Sequence, residues 1–253
     1  TKVYSELLQL IDQIQMGNMF ATIQRGTIIF RARCIKDDDF SPENGIGISG
    51  EDVRLVTEGF NEGNSRECPL GIGAAGRNNI EGMSYFYAAE DAATACAEVK
   101  PVPKQLISLA EFEIQEDLRI VDFSSDCRIP GTLKEKCDMS SAAFMTQVMS
   151  CFSVPVIKEA DYRVSQIIAD HIRKLGVAGI AYRSFYSGKR NYTIFHSHPS
   201  VLKYVSSRML IKQPVETFWD FNSEANIVAE NQDAYINKAN SQDCLRKVQA
   251  ALR

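Results

Sequence analysis

"GRNNIEGMSYFYAAEDAATACAEV", residues 76–99, sets three residues of chemical interest, Arg77, Tyr87 and Glu98, into a stretch rich in small and apolar residues. Its middle, "MSYFYAA", reads as a strand from its aromatic content. "EDAATACAEV" then reads as a short helix, with Asp91 placed to accept from the orphan amides of the first turn. On this reading Arg77 lies in a glycine-flanked loop, Tyr87 in the strand and Glu98 near the end of the helix. A strand running out and a helix folding back onto it can bring such residues to one end of a pocket. A guanidinium fork suits a pyrophosphate, an aromatic face suits a base or a cationic ring, and a carboxylate suits positive charge that develops during a reaction. The same three residues also fit a plainer assignment: a surface arginine, a half-buried strand aromatic and a solvated helix acid.

Outward from this block the chain is rich in strands. "TIIFRAR", Thr27 to Arg33, reads as a strand ending on two arginines, and "QLISLAEFEI", "LRIVDF", "VAGIAYRS" and "NYTIF" read as four more. Helical spacing predicts a helix within the first sixteen residues and another near Ser140 to Cys151. In "DYRVSQIIADHIRKLG" it places Val164, Ile167, Ile168, Ile172 and Leu175 on one face, with Gly176 as the stop. Residues 37–76 are turn-rich, with one helix expected near 51–59, and suggest a binding loop. Few strands alternate one-for-one with helices, which favours α+β over a doubly wound sheet. The expected organisation is a helical lead-in over 1–26, a main domain over 27–213 and a polar extension over 214–253 ending in a helix from about Ser241 to Leu252.

Composition limits the function. A net charge of −4 over 253 residues leaves no electrostatic footprint for nucleic acid or an anionic membrane. No apolar run approaches the roughly 18 residues a spanning helix needs, and no charged-then-apolar leader is read at the N-terminus. The seven cysteines form no CxxC pair, and a chain of this size does not depend on disulfides for its core, so the expected setting is reduced and cytoplasmic.

Two motifs invite other chemistry. "GIGAAG", Gly71 to Gly76, satisfies a dinucleotide-turn pattern, but "SRECPL" before it and "RNNIEGMS" after it are neither the buried strand nor the helix that such a turn joins. "HSHP" offers His196 and His198 two apart on a strand, yet the chain has only three histidines, and no metal site is expected. A Cys–His nucleophile is compatible with the counts, but no spacing singles out one cysteine.

Four separated blocks, in order, resemble the RES domain, a family named for Arg, Glu and Ser whose toxin members destroy NAD+. They are "IIFRAR" (28–33), the opening stretch (76–99), "DYRVSQIIADHIRKLGVAGIAYRS" (161–184) and "RNYTIF" (190–195). The resemblance implies Arg77, Glu98 and Ser184 as catalytic residues. It implies Arg31, with Arg33 as a substitute, Tyr87 and Asn191 as residues that bind the substrate. It further implies a fold similar to ADP-ribosyltransferases, a strand-rich α+β core with two small sheets around an NAD cleft and peripheral helices. The segment between Arg33 and Gly76 and the tail beyond Pro214 exceed the compact family core.

The expected activity is cleavage of the nicotinamide–ribose bond of NAD+, with phosphate (a phosphorylase) or water (a glycohydrolase) as acceptor. Alternatives are an ADP-ribosyltransferase acting on a macromolecular or nucleotide target, and an inactive nucleotide- or partner-binding module. NAD+ is then a substrate, phosphate a co-substrate, and no prosthetic group is expected. A bacterial toxin of this kind implies a cognate antitoxin as partner. Neither a membrane nor direct nucleic-acid binding is expected.

Overall fold

A computed structural model of the chain describes residues 14, 19–36, 39, 59–124, 139–155, 162–212, 218–220 and 225–227. Apart from Ile14 and Gly59, the helices expected over the first sixteen residues, near 51–59 and at 241–252 lie outside them. The described chain runs β1 (Phe20–Ile23), β2 (Ile28–Cys34), α1 (Glu62–Ser65), β3 (Phe86–Ala89), α2 (Ala92–Glu98), β4 (Leu106–Ile114) and β5 (Leu118–Phe123). It continues with α3 (Met139–Ser153), α4 (Arg163–Arg173), β6 (Gly179–Arg183), β7 (Arg190–Ile194), β8 (Leu202–Ile211) and the short pair β9 (Phe218–Asp220) and β10 (Ala225–Ile227).

Eight strands form one sheet in the order β1-β5-β6-β7-β3-β2-β4-β8, antiparallel except for β5 beside β6. This corrects the expectation of two separate small sheets. The two halves, β1-β5-β6-β7-β3 and β2-β4-β8, nevertheless meet through one residue pair, Phe30 with Ala89. Ile23, Ile29, Phe86, Phe112, Leu118, Ala181, Ile194 and Leu202 all enter one buried cluster, so every strand of the sheet feeds it. Eight strands laid flat would span roughly 34 Å at the usual spacing. A shared cluster therefore requires the sheet to curl until one half faces the other.

Helices cover the outer faces. α2 lays Ala92, Ala95 and Cys96 against Ala32, Ile107, Leu109 and Leu210. Asp91 caps this helix as expected, its carboxylate accepting from the Thr94 amide at 2.7 Å. α3 and α4 bring Val148, Phe152, Ile168 and Ile172 onto Val121, Phe123 and Ile180. The buried residues of α4 are Ser165, Ile168, Ala169 and Ile172, whereas Val164 and Ile167, expected inside, are 53% and 46% exposed. The rotation has a polar cause: the Ser165 hydroxyl donates to the Arg77 carbonyl at 2.6 Å, and Gln166 Nε2 donates to the carbonyls of Gly76 and Asn79. The helix turns these two residues toward the loop that carries Arg77.

Candidate active site

At the split between β2 and β3 the chain surrounds a cavity of about 370 Å³. Arg31, Arg77, Tyr87, Glu98 and Asn191 all line it, joined by Tyr162, Tyr182, Tyr186 and Lys100. The site thus gathers residues from β2, β3, α2 and β7 with the loops around them.

Glu98 is the last residue of α2. Its Oε1 accepts from Ser184 Oγ at 2.6 Å and from Asn191 Nδ2 at 2.8 Å. Both bonds fall on one oxygen, so among the described residues Oε2 is left for a ligand. Ser184 is buried at the end of β6 and does not line the cavity. Its hydroxyl accepts from the amides of Tyr186 and Ser187 while donating to Glu98. The hydrogen-bonding capacity of Ser184 is thus committed to fixing the glutamate and to its own turn. The loop that follows is tied to α2 by Thr94 with Ser187 at 2.9 Å and by Lys189 with Asp91 at 2.7 Å.

Tyr87 offers its ring rather than its hydroxyl. The hydroxyl donates to Asn79 Oδ1 at 2.7 Å and accepts from the Asn78 amide, and burial holds it well above the ordinary tyrosine range. Asn79 also donates to the carbonyls of Ala74, Ile80 and Met83, knotting the loop before β3. Gly76 is required there: a Cβ would come within 2.5 Å of Asn79 Oδ1 and 3.0 Å of the Tyr87 hydroxyl. Asn78 and Asn79 stand in the opening block, but sequence reasoning assigned them no role. The Gly71–Gly76 pattern lies in turns closed by Gly71 with Gly82 and Gly82 with Gly73, each at 2.8 Å, and leads to β3 rather than into a helix.

The two predicted cation sites differ. Arg77 anchors one nitrogen, Nη1, on the carbonyls of Cys151 and Val154 at the end of α3, and lies over the Tyr162 ring at 5.5 Å. Arg31 donates from Nη1 to the Tyr87 carbonyl at 2.8 Å, where the β2–β3 ladder has parted. Its Nε is buried without a partner. Burial, then repulsion from Arg33, lowers Arg31 to about 10, so it stays charged at neutral pH at a desolvation cost that an anion would offset. Arg33 is not part of the site. It donates to the Asn64 carbonyl and stacks on Phe60 at 4.5 Å, and of the two arginines of the motif only Arg31 lines the cavity.

A family model, the RES domain, matches residues 63–220. The chain belongs to the RES domain family. The matched segment holds Arg77, Tyr87, Glu98, Ser184 and Asn191, while Arg31 precedes it on β2. Among solved structures, a chain in the crystal structure of the M. tuberculosis MbcT–MbcA toxin–antitoxin complex is similar at 13% identity and a TM-score of 0.41, over 79% of this chain and 92% of that one. No curated protein matches the chain.

Tyr162, Tyr182 and Tyr186 give the RES cavity an aromatic lining that sequence reasoning missed. Burial, then the Glu98 carboxylate, pushes the Tyr182 hydroxyl above the ordinary range, so it remains a neutral wall beside the acid. His196 and His198 lie beyond β7, where His198 Nδ1 pairs with Ser200 Oγ at 2.9 Å. Among the described residues no group of three or more His, Cys, Asp or Glu is placed to hold a metal ion, and no helix is long and apolar enough to cross a membrane.

Proposed function

We propose that this RES domain protein cleaves the nicotinamide–ribose bond of NAD+, passing the ADP-ribosyl group to phosphate or water. The observation that carries the reading is the clamped carboxylate: Glu98 is fixed through Oε1 by Ser184 and Asn191 inside a cavity that also presents two guanidinium groups and an aromatic wall. The nicotinamide of NAD+ is already a cationic leaving group, so the bond needs no strong acid. It needs the charge that grows on the ribose held as the bond breaks, the use that glycoside-cleaving enzymes make of carboxylates. Glu98 Oε2 is suited to that role, since its partner oxygen is immobilised and little reorganisation is required. Arg31 and Arg77 hold the diphosphate, and Tyr87 packs on the nicotinamide or its ribose.

Family membership supports a toxin-like role in the cell, and with it a cognate antitoxin as partner and a cytoplasmic site of action. Glu98→Gln keeps the shape of the side chain and removes its charge. Incubation with NAD+, with and without phosphate, followed by mass spectrometry, should show turnover reduced by a factor of about 10² to 10³ relative to the parent, the range seen when one electrostatic contact to a transition state is removed. ADP-ribose-1″-phosphate would identify a phosphorylase and ADP-ribose a glycohydrolase. Near-normal turnover by Glu98→Gln would remove Glu98 from the mechanism.

A further inference from the structure

Lys100 follows the last turn of α2 two residues after Glu98. Its amide closes that turn on the Ala97 carbonyl at 3.2 Å, and its φ is +49°. This is the position after a helix end where glycine ordinarily stands, because a side chain there strains the backbone. The chain keeps a lysine instead and points it at the cavity that Lys100 helps to line. The ammonium lies over the Tyr186 ring, 5.6 Å from its centroid. Tyr186 belongs to the turn whose amides hold Ser184, and Ser184 holds Glu98. Backbone strain retained beside a reactive carboxylate points to a use for the side chain.

The charges define that use. A dinucleotide diphosphate carries two negative charges, which Arg31 and Arg77 match, so Lys100 is a third cation with no charge in the dinucleotide left to pair with. An anion that approaches the ribose must also pass the Glu98 carboxylate, and repulsion there is offset by a cation on the same side. We infer that Lys100 is the acceptor-binding residue of the site, holding inorganic phosphate against Glu98 and favouring phosphorolysis over hydrolysis. The inference rests on the proposed reaction. In the step it assists, a phosphate oxygen forms the bond to C1 of the ribose as the C–N bond breaks, and the bonding pair returns to the nicotinamide ring, which leaves neutral. The proton on the attacking phosphate stays with the product or passes to solvent. The hydrogen bond with Tyr186, against a smaller opposing effect of burial, raises the Lys100 pKa, and Glu98 adds to the rise, which keeps the ammonium charged through the neutral range.

The test compares the parent with Lys100→Met, Lys100→Gly and Lys100→Arg over a phosphate series, reading nicotinamide release and product identity. Lys104→Met is the control, because Lys104 also has a positive φ, of 69°, but lies outside the cavity. Lys100→Met and Lys100→Gly should raise the KM for phosphate by about tenfold or more, leave the KM for NAD+ within about twofold, and shift product toward ADP-ribose. Lys100→Arg should stay close to the parent and Lys104→Met should match it. Lys100→Gly relieves the backbone, so its melting temperature should hold or rise while phosphate use falls, a split that a merely structural lysine would not give. Equal effects on both KM values, or no effect on either, would overturn the assignment. If the parent consumes no NAD+, the proposed reaction fails, and calorimetry with inorganic phosphate in the presence of ADP-ribose decides the site alone. Phosphate heat lost in Lys100→Met upholds it; heat that persists there, or is absent from the parent, ends it.

Discussion

Glu98 shows what a single side chain gains from its neighbours. A carboxylate on the last turn of a short helix would ordinarily turn freely, but Ser184 and Asn191 fix one oxygen and thereby aim the other. Ser184→Ala leaves Asn191 as the sole partner and strips the acceptor from the amides of Tyr186 and Ser187. A hydrogen bond to a charged group is worth about 1.5–3 kcal/mol, so kcat should fall roughly 10- to 100-fold. The KM for NAD+ should change far less, because the arginines and Tyr87 are untouched; steady-state kinetics separates the two, and a rise in KM alone would show that Ser184 shapes binding instead. Arg77, Tyr87 and Glu98 were legible in sequence because a strand and the helix after it place them, and local order is what a sequence displays. Tyr162, Tyr182 and Tyr186 were not, since they reach the site only through the packing of segments far from it in the chain, and Lys100, though close to Glu98 in sequence, carries no motif signal that sets it apart from a surface lysine. Ser184 was legible as a participant but not as a group behind the site, because motif position carries no information on which way a hydroxyl faces.

At the scale of elements, α2 is positioned by its cap. Asp91 accepts from the Thr94 amide and pairs with Lys189, and these bonds outweigh burial to hold its carboxyl below the ordinary range. Asp91→Ala should destabilise the protein by about 1 kcal/mol, the usual cost of losing an N-cap. A depressed carboxyl pKa contributes stability that is present above the unfolded value near 3.9 and lost as pH falls through the folded one. The gap in melting temperature between parent and Asp91→Ala should therefore be full at neutral pH and close below about pH 4; a gap that persists in acid would assign the effect to something other than the carboxylate. Most strands were readable from β-branched and aromatic runs, but β1, β8 and the short pair β9 and β10 were not. β1 has four residues. β8 is broken by an irregularity: Glu111 pairs with Ser206 and Phe112 with Tyr204, so Val205 is left over and half exposed. That bulge shifts the alternation of faces on which a strand is recognised.

Over the whole molecule, the cavity draws its walls from both halves of the sheet: Phe30, Arg31 and Ala32 from β2 on one side, Tyr87, Ala88 and Ala89 from β3 with Asn191 from β7 on the other. A ligand that grips Arg31 and Arg77 together ties these walls to each other. ADP-ribose at a hundred times its Kd should stabilise the protein by about 2.7 kcal/mol, a rise of roughly 5–10 °C in melting temperature for a chain of this size. Glu98→Gln should show a comparable rise, because it alters turnover and not the grip; no shift in either protein would argue against a dinucleotide site. The α+β class was legible from the excess of strands over alternating helices, but the closure of eight strands on one core was not, because only contacts distant in sequence reveal it. The lone pairing of Phe30 with Ala89 has a last consequence. Most neighbouring strands are locked by ladders of several rungs, and to change their spacing means rewriting every rung. Where only one rung joins two halves, their mutual angle can be reset by the bulk of a few adjoining side chains, so the width of the cleft, and with it the size of molecule admitted, is free to diverge between relatives while both ladders stay as they are.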